Sequence, residues 1–216
     1  MSDQAINFKK QKPVVIYTDH LINKTLCYHF AKGSNSLMCH VEKFNDYDKT
    51  IATYGYLRGA GEAINKSKNF YYIDHGYFKQ SKRSFDNNRT LIENLNGYFR
   101  VVYNDYWHNG KGNCSDDRLK KLDLRFNEIN KNGEYIILSE PTDDAKKFYN
   151  LSNWVEETKT ELKKYTDRKI FVHNRGSKTP LADLLKNSWA FVSDHSSAAF
   201  IAMQSGVPSY FTNNTL

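Results

Sequence analysis

The sequence predicts an α/β fold in two halves, each built on a parallel sheet. Two observations carry this reading. Short β-branched or aromatic runs recur along the chain, and in the second half they alternate regularly with helical stretches, the pattern of a parallel sheet with helices on both faces. A segment rich in turn residues, Asn104 to Arg118, sits near the middle and reads as the link between the halves. The expected domains are residues 1–108 and 109–216. At 216 residues the chain is long enough to bury a sizeable core. A hydrophobic content of 39 % with 14 % aromatics makes it globular rather than disordered.

The elements of the first half follow in order. Val14 to Asp19 is a β-branched run after a proline and reads as a buried strand. It delivers Asp19 to the carboxyl edge, where open α/β sheets place their sites. Leu21 to Lys32 reads as a helix closed by Gly33. Leu37 to Val41 and Ile51 to Tyr54 are the next strands. Gly55, Gly59 and Gly61 then make a turn into a helix ending near Lys66. Their spacing is neither the dinucleotide fingerprint nor a P-loop. Phe70 to Ile73 is a strand with Asp74 and His75 at its end. A carboxylate beside a histidine suits a general base, since it can fix the tautomer and raise basicity; a surface or capping histidine is the plain alternative. Residues 79–96 are polar and basic, with Lys79, Lys82, Arg83 and Arg89, and read as a loop with at most a helical turn. With nearby aromatics the loop is a candidate nucleic-acid or acceptor contact, the alternative being a solvated insertion. Tyr98 to Tyr103 is a further strand carrying Arg100.

In the second half, Ser115-Asp-Asp-Arg-Leu can cap a short helix. Tyr135 to Leu138 is a strand ending at Ser139. Asp143 to Lys164 reads as one helix with acidic residues near its start. Lys169 to His173 is a strand followed by Asn174-Arg175-Gly176, and Pro180 to Asn187 a short helix. Trp189 to Val192 is a strand, Asp194-His195-Ser196-Ser197 a polar turn, Ala198 to Gln204 a small-residue helix, and Ser209 to Thr212 the last strand. Gly206 suits the helix end and Pro208 stops it. A helix N-terminus after such a turn attracts phosphate, although an ordinary capped helix has the same composition. The alternation brings three strand ends, at Ser139, at His173 to Arg175 and at Ser193 to Ser197, to one edge.

The net charge is +7 and the pI about 9.1, which favours an anionic partner: nucleic acid, nucleotide or phosphorylated glycan. The basic residues are spread along the chain, so a basic surface without a specific ligand is the competing reading. Cys27, Cys39 and Cys114 form no Cys-x-x-Cys pair, which argues against a zinc site or a disulfide framework. The N-terminus lacks an apolar signal core and no apolar run approaches the ~20 residues of a membrane helix, so a cytoplasmic protein is expected.

The stretch His195-Ser-Ser-Ala-Ala-Phe-Ile-Ala-Met-Gln-Ser-Gly-Val-Pro208 resembles the donor-binding segment of nucleotide-sugar glycosyltransferases of the two-Rossmann (GT-B) type. The resemblance implies two Rossmann-like halves, compact for that class, and a site in which Ser196 and Ser197 open a helix against the donor diphosphate. Many such enzymes hold the donor ribose with a Glu on this helix; Ile201 stands in its place here, which leaves ribose recognition by that route in question. Tyr72-Ile-Asp-His-Gly-Tyr-Phe78, Tyr98-Phe-Arg-Val-Val-Tyr-Asn104 and Ser115-Asp-Asp-Arg-Leu119 are similar to a set of phage and bacterial proteins sharing that C-terminal segment.

These resemblances imply a metal-independent glycosyltransferase with no resident cofactor and a nucleotide sugar such as UDP-glucose as co-substrate. Ser139, Arg175, His195, Ser196 and Ser197 would bind the donor, with Arg168 an alternative to Arg175. Asp19, Asp74 and His75 are the base candidates. The acceptor expected is a hydroxymethylated pyrimidine in phage DNA, contacted by Lys79, Lys82, Arg83, Arg89 and Arg100 and reached by base flipping in the host cytoplasm. A surface-glycan transferase and a non-catalytic nucleotide- or nucleic-acid-binding protein are the alternatives. Enzymes of this class are usually longer, so the resemblance also implies either a compact version or a fragment.

Overall fold

The computed structural model describes residues 12–78, 82–85, 91–94, 97–107 and 115–213, with only the backbone for 82–85, 91–94, 118 and 119. The fold is α/β with two mostly parallel sheets. The chain divides into two compact units, Met1–His108 and Asn109–Leu216.

The first unit runs β1 (Val14–Tyr17), α1 (Leu21–Ser34), β2 (Met38–His40), a 3₁₀ turn at Val41–Lys43, β3 (Ile51–Tyr54), α2 (Ala60–Lys66) and β4 (Phe70–His75). A short antiparallel pair follows, β5 (Lys82–Phe85) with β6 (Leu91–Asn94), then β7 (Phe99–Tyr103). The main sheet has the order β2-β1-β3-β4-β7. Its first four strands are parallel and β7 is antiparallel to β4. Alternation along β1 sends Val15 to one face, against Ile22, Leu26 and Cys27 of α1. Ile16 goes to the other face, with Ala63 and Ile64 of α2. Each fully buried isoleucine in these layers contributes about 1.5–3 kcal/mol of transfer free energy. Burial also pushes the Cys27 thiol up to about 11, so it is inert core filling.

Two departures from the sequence reading have simple causes. Helix α1 does not stop at Gly33. It continues to Ser34, and Asn35 adopts the left-handed cap with φ of 52° while its N–H returns to Ala31 and Lys32 carbonyls. Within the stretch expected to be a loop, residues 79–96, the described residues form the antiparallel β5–β6 pair. Leu91-Ile92 faces Phe85-Ser84 in that ladder, a pairing that suits β-formers.

The second unit runs α3 (Asp117–Leu122), β8 (Tyr135–Ser139), α4 (Asp143–Tyr149), α5 (Trp154–Leu162), β9 (Lys169–His173), α6 (Leu181–Leu185), β10 (Ser188–Ser193), α7 (Ala198–Gln204) and β11 (Ser209–Phe211). Its sheet is wholly parallel, in the order β11-β10-β8-β9. Ile137 and Phe191 face α6 and α7, while Ile136, Leu138 and Val192 face Trp154 of α5. The single helix expected from Asp143 to Lys164 is two. Asn150 takes a left-handed φ of 57° and ends α4, and Leu151-Ser-Asn153 leads into α5. Thr142 Oγ1 caps α4 by accepting from Ala145 N at 3.3 Å.

Candidate functional site

In the second unit the connection from β8 steps to β9, and the next strand, β10, lies on the far side of β8. The crevice between the carboxyl ends of β8 and β10 is therefore the topological switch point, where open sheets bind ligands. Ser139 and Ser193 end these two strands, directly paired in register, and both are buried. Asp194 follows and is only 5 % exposed. A buried carboxylate needs hydrogen-bond donors. Thr212 Oγ1 donates to Oδ1 at 3.3 Å, and His195 Nδ1 lies 2.5 Å from Oδ2. Behind Thr212, Trp154 Nε1 donates to its hydroxyl at 2.7 Å. The Tyr149 ring lies against the His195 ring, 4.7 Å between centroids.

Of the two readings the sequence left open for this turn, phosphate binding and helix capping, the hydrogen bonds of its serines serve the second. Ser193 Oγ accepts from Ser196 N at 3.3 Å, and Ser196 Oγ accepts from Ala198 N at 3.2 Å. Ala199 N and Phe200 N bond to the carbonyls of Ser196 and Ser197. Ser196 thus satisfies the start of α7, and Ser197 is an exposed N-cap residue with no side-chain cap bond. The N–H groups of 196, 198, 199 and 200, expected to greet a phosphate, already have partners within the turn. Ile201 is 53 % exposed on α7.

At the next strand end, Asn174 Nδ2 donates to Glu140 at 2.8 Å and Lys146 Nζ donates to the other oxygen at 2.5 Å. The Asn174 and Lys146 hydrogen bonds hold the Glu140 carboxyl below the usual range. Arg175 is exposed on the turn after β9, with no ion pair among the described residues. Arg168 is not an alternative to it. It precedes β9, at the opposite end of the strand, and its guanidinium stacks on Trp189 at 4.3 Å. On the α5 face of the sheet a groove of about 710 Å³ is lined by Trp154, Trp189, Tyr165 and Tyr210, with Asp194 and Thr212 also in its wall.

In the first unit the switch point lies between β1 and β3. Asn23 fills it: its Oδ1 accepts from Thr18 N at 2.8 Å and its Nδ2 donates to Tyr54 O at 2.6 Å. Asp19 sits at the same edge, 89 % exposed, with His40 Nε2 at 3.4 Å. His75 Nε2 meets the Tyr54 hydroxyl at 2.9 Å, and its ring stacks on Phe99. The expected Asp74–His75 dyad does not form. Both residues lie inside β4, so their side chains point to opposite faces. Asp74 instead pairs with Arg100 Nη2 at 2.9 Å across the antiparallel β4–β7 register, and Tyr72 donates to it at 3.2 Å.

Arg100 is therefore not an exposed acceptor contact. Its side chain is 10 % exposed, it donates to the carbonyls of His75 and Tyr106, and it stacks on Trp107 at 4.5 Å. Lys79 and Arg89 lie outside the described residues, as do the side chains of Lys82 and Arg83 on β5. His40, Thr212 and Trp154 were missed by sequence reasoning. His40 was legible in principle, since a parallel neighbour of β1 ends there; Thr212 and Trp154 enter only through tertiary packing.

Among the described residues no group of three His, Cys, Asp or Glu is placed to hold a metal ion, and no helix is long and apolar enough to cross a membrane. Compared with known proteins, the sequence matches no family model and no curated relative.

Proposed function

We propose that the chain is a glycosyltransferase that moves a sugar from a nucleoside-diphosphate sugar to a hydroxyl acceptor, with the donor at the carboxyl edge of the second sheet. The observation that supports it most is the meeting of Ser139, Ser193 and the Asp194–His195 pair at the switch point of a wholly parallel sheet. Arg175, exposed one strand over, is the planar cation matched to the diphosphate. His195, with the exposed Ser197 hydroxyl, supplies further polar contacts. Acceptor binding is assigned to the first unit, with Asp19 or His75 taking the proton of the attacking hydroxyl. Asp74 leaves the list of bases because Arg100 occupies it. As the acceptor oxygen bonds to the anomeric carbon, the carbon–oxygen bond to the nucleoside diphosphate breaks and that group departs.

For the acceptor, the net charge of +7 favours DNA carrying a hydroxymethylated pyrimidine, with Lys79, Lys82, Arg83 and Arg89 as phosphate contacts. A non-catalytic nucleotide-binding reading is favoured by Ile201, which stands where a ribose-binding carboxylate is expected. Turnover separates the two. Incubation with a panel of nucleotide sugars and hydroxymethylated DNA should release nucleoside diphosphate and add sugar mass to the DNA. Transfer to an oligosaccharide acceptor only would replace DNA as acceptor, and saturable binding without transfer to either would remove the enzyme reading.

A further inference from the structure

We infer that Asp194 is a positioning residue. With Thr212 and Trp154 behind it, Asp194 holds His195 with the proton on Nδ1 and so makes Nε2 the nitrogen through which His195 works. The direction of every bond in the chain is set by chemistry. Indole Nε1–H can only donate, so Thr212 Oγ1 accepts from Trp154. The Thr212 hydroxyl then has its own proton left to give, and Asp194 Oδ1 is the acceptor within reach. An ionised carboxylate cannot donate, so the contact between Asp194 Oδ2 and His195 Nδ1 places the proton on the nitrogen. Among the described residues Trp154, Thr212, Asp194 and His195 thus form one continuous chain of hydrogen bonds, and a buried polar chain of this kind favours a single arrangement.

The chain spans separate parts of the second unit: Trp154 opens α5, Asp194 follows β10, and Thr212 follows β11. Thr212 is further fixed by its N–H, which donates to Ser193 O at 3.0 Å. The Tyr149 ring at the end of α4 limits rotation of the imidazole. The ring is thus oriented by packing and by a carboxylate together, the arrangement a base or an anion-binding histidine requires.

The inference rests on the proposed donor site only for what His195 meets there; the tautomer is measured without ligand. The experiment is nitrogen-15 imidazole NMR of the full chain at mildly alkaline pH, with His195 assigned by His195→Gln. In the wild type Nδ1 carries a proton. In D194N, Thr212 still donates to the amide oxygen, which turns the amide NH₂ toward the ring. Nδ1 must then accept, and the proton moves to Nε2. T212V removes a donor to Oδ1 but keeps Oδ2, so Nδ1 stays protonated. A wild-type His195 protonated on Nε2 alone overturns the inference, as does a folded D194N that keeps the proton on Nδ1. If D194N does not fold, the wild-type and T212V spectra decide alone. A correct tautomer with no nucleotide binding would remove the donor reading and leave the positioning role standing.

Discussion

Gly206→Ala lowers the stability of the second unit by about 3 kcal/mol or more, combining left-handed strain with overpacking. Gly206 follows α7 with φ of +81°, a conformation only glycine adopts cheaply. A methyl group there would also run into the backbone carbonyl of Glu128. That carbonyl cannot retreat easily. Its segment is tied to the same turn by Asn127 N to Gln204 O at 2.9 Å and Asn130 N to Gly206 O at 2.8 Å. Denaturant unfolding should show the loss, with Gly33→Ala as the control. Gly33 lies inside α1 with open space at its Cβ, so that change should stabilise the first unit by about 0.5–1 kcal/mol. Equal effects at the two sites would contradict the account of the Gly206 turn.

Arg100→Ala should cost the first unit about 2–4 kcal/mol, because it strands a half-buried carboxylate. Among the described residues Asp74 keeps the Tyr72 hydroxyl and its own neighbour's N–H, and the carbonyls of His75 and Tyr106 lose the guanidinium as a donor. Three rings, Tyr72, Tyr77 and Trp107, lose the guanidinium they pack against. Arg100→Lys restores the charge but not the fork of donors, so it recovers part of the loss. The measurement is unfolding free energy beside DNA affinity, both below the melting transition. Unchanged stability with weakened DNA binding would return Arg100 to the surface role that the sequence suggested.

Strand positions were legible because β-branched runs are local. Val14, Ile51 and Lys169 begin strands where they were expected to. Element ends were less so. Asn35 rather than Gly33 takes the left-handed cap, and Asn150 splits a helix, because asparagine tolerates that conformation without announcing it. The three Asp-His dipeptides show why site geometry is harder. Asp74 and His75 sit within a strand, so they face apart, and Asp74 finds Arg100 26 residues away through a register that no sequence period reveals. Asp19 lies beyond β1 and meets His40 of the neighbouring strand. Asp194 lies in the turn after β10, free of the pleat, and there alone the carboxylate reaches its own neighbour's ring. The same two letters give three environments because backbone conformation decides where the side chains go.

The proposed nucleoside-diphosphate site at the edge of the second sheet calls for thermal unfolding with uridine, guanosine, adenosine, cytidine and thymidine diphosphates, UDP-glucose and inorganic phosphate, in wild type and Arg175→Ala. Arg175 is exposed and without an ion pair among the described residues, so its removal should leave the unliganded transition unchanged. One diphosphate should stabilise the wild type, by about 2.7 kcal/mol at 100 times its dissociation constant, and Arg175→Ala should lose most of this gain. No stabilisation by any diphosphate at millimolar concentration, or equal stabilisation of both proteins, would contradict it.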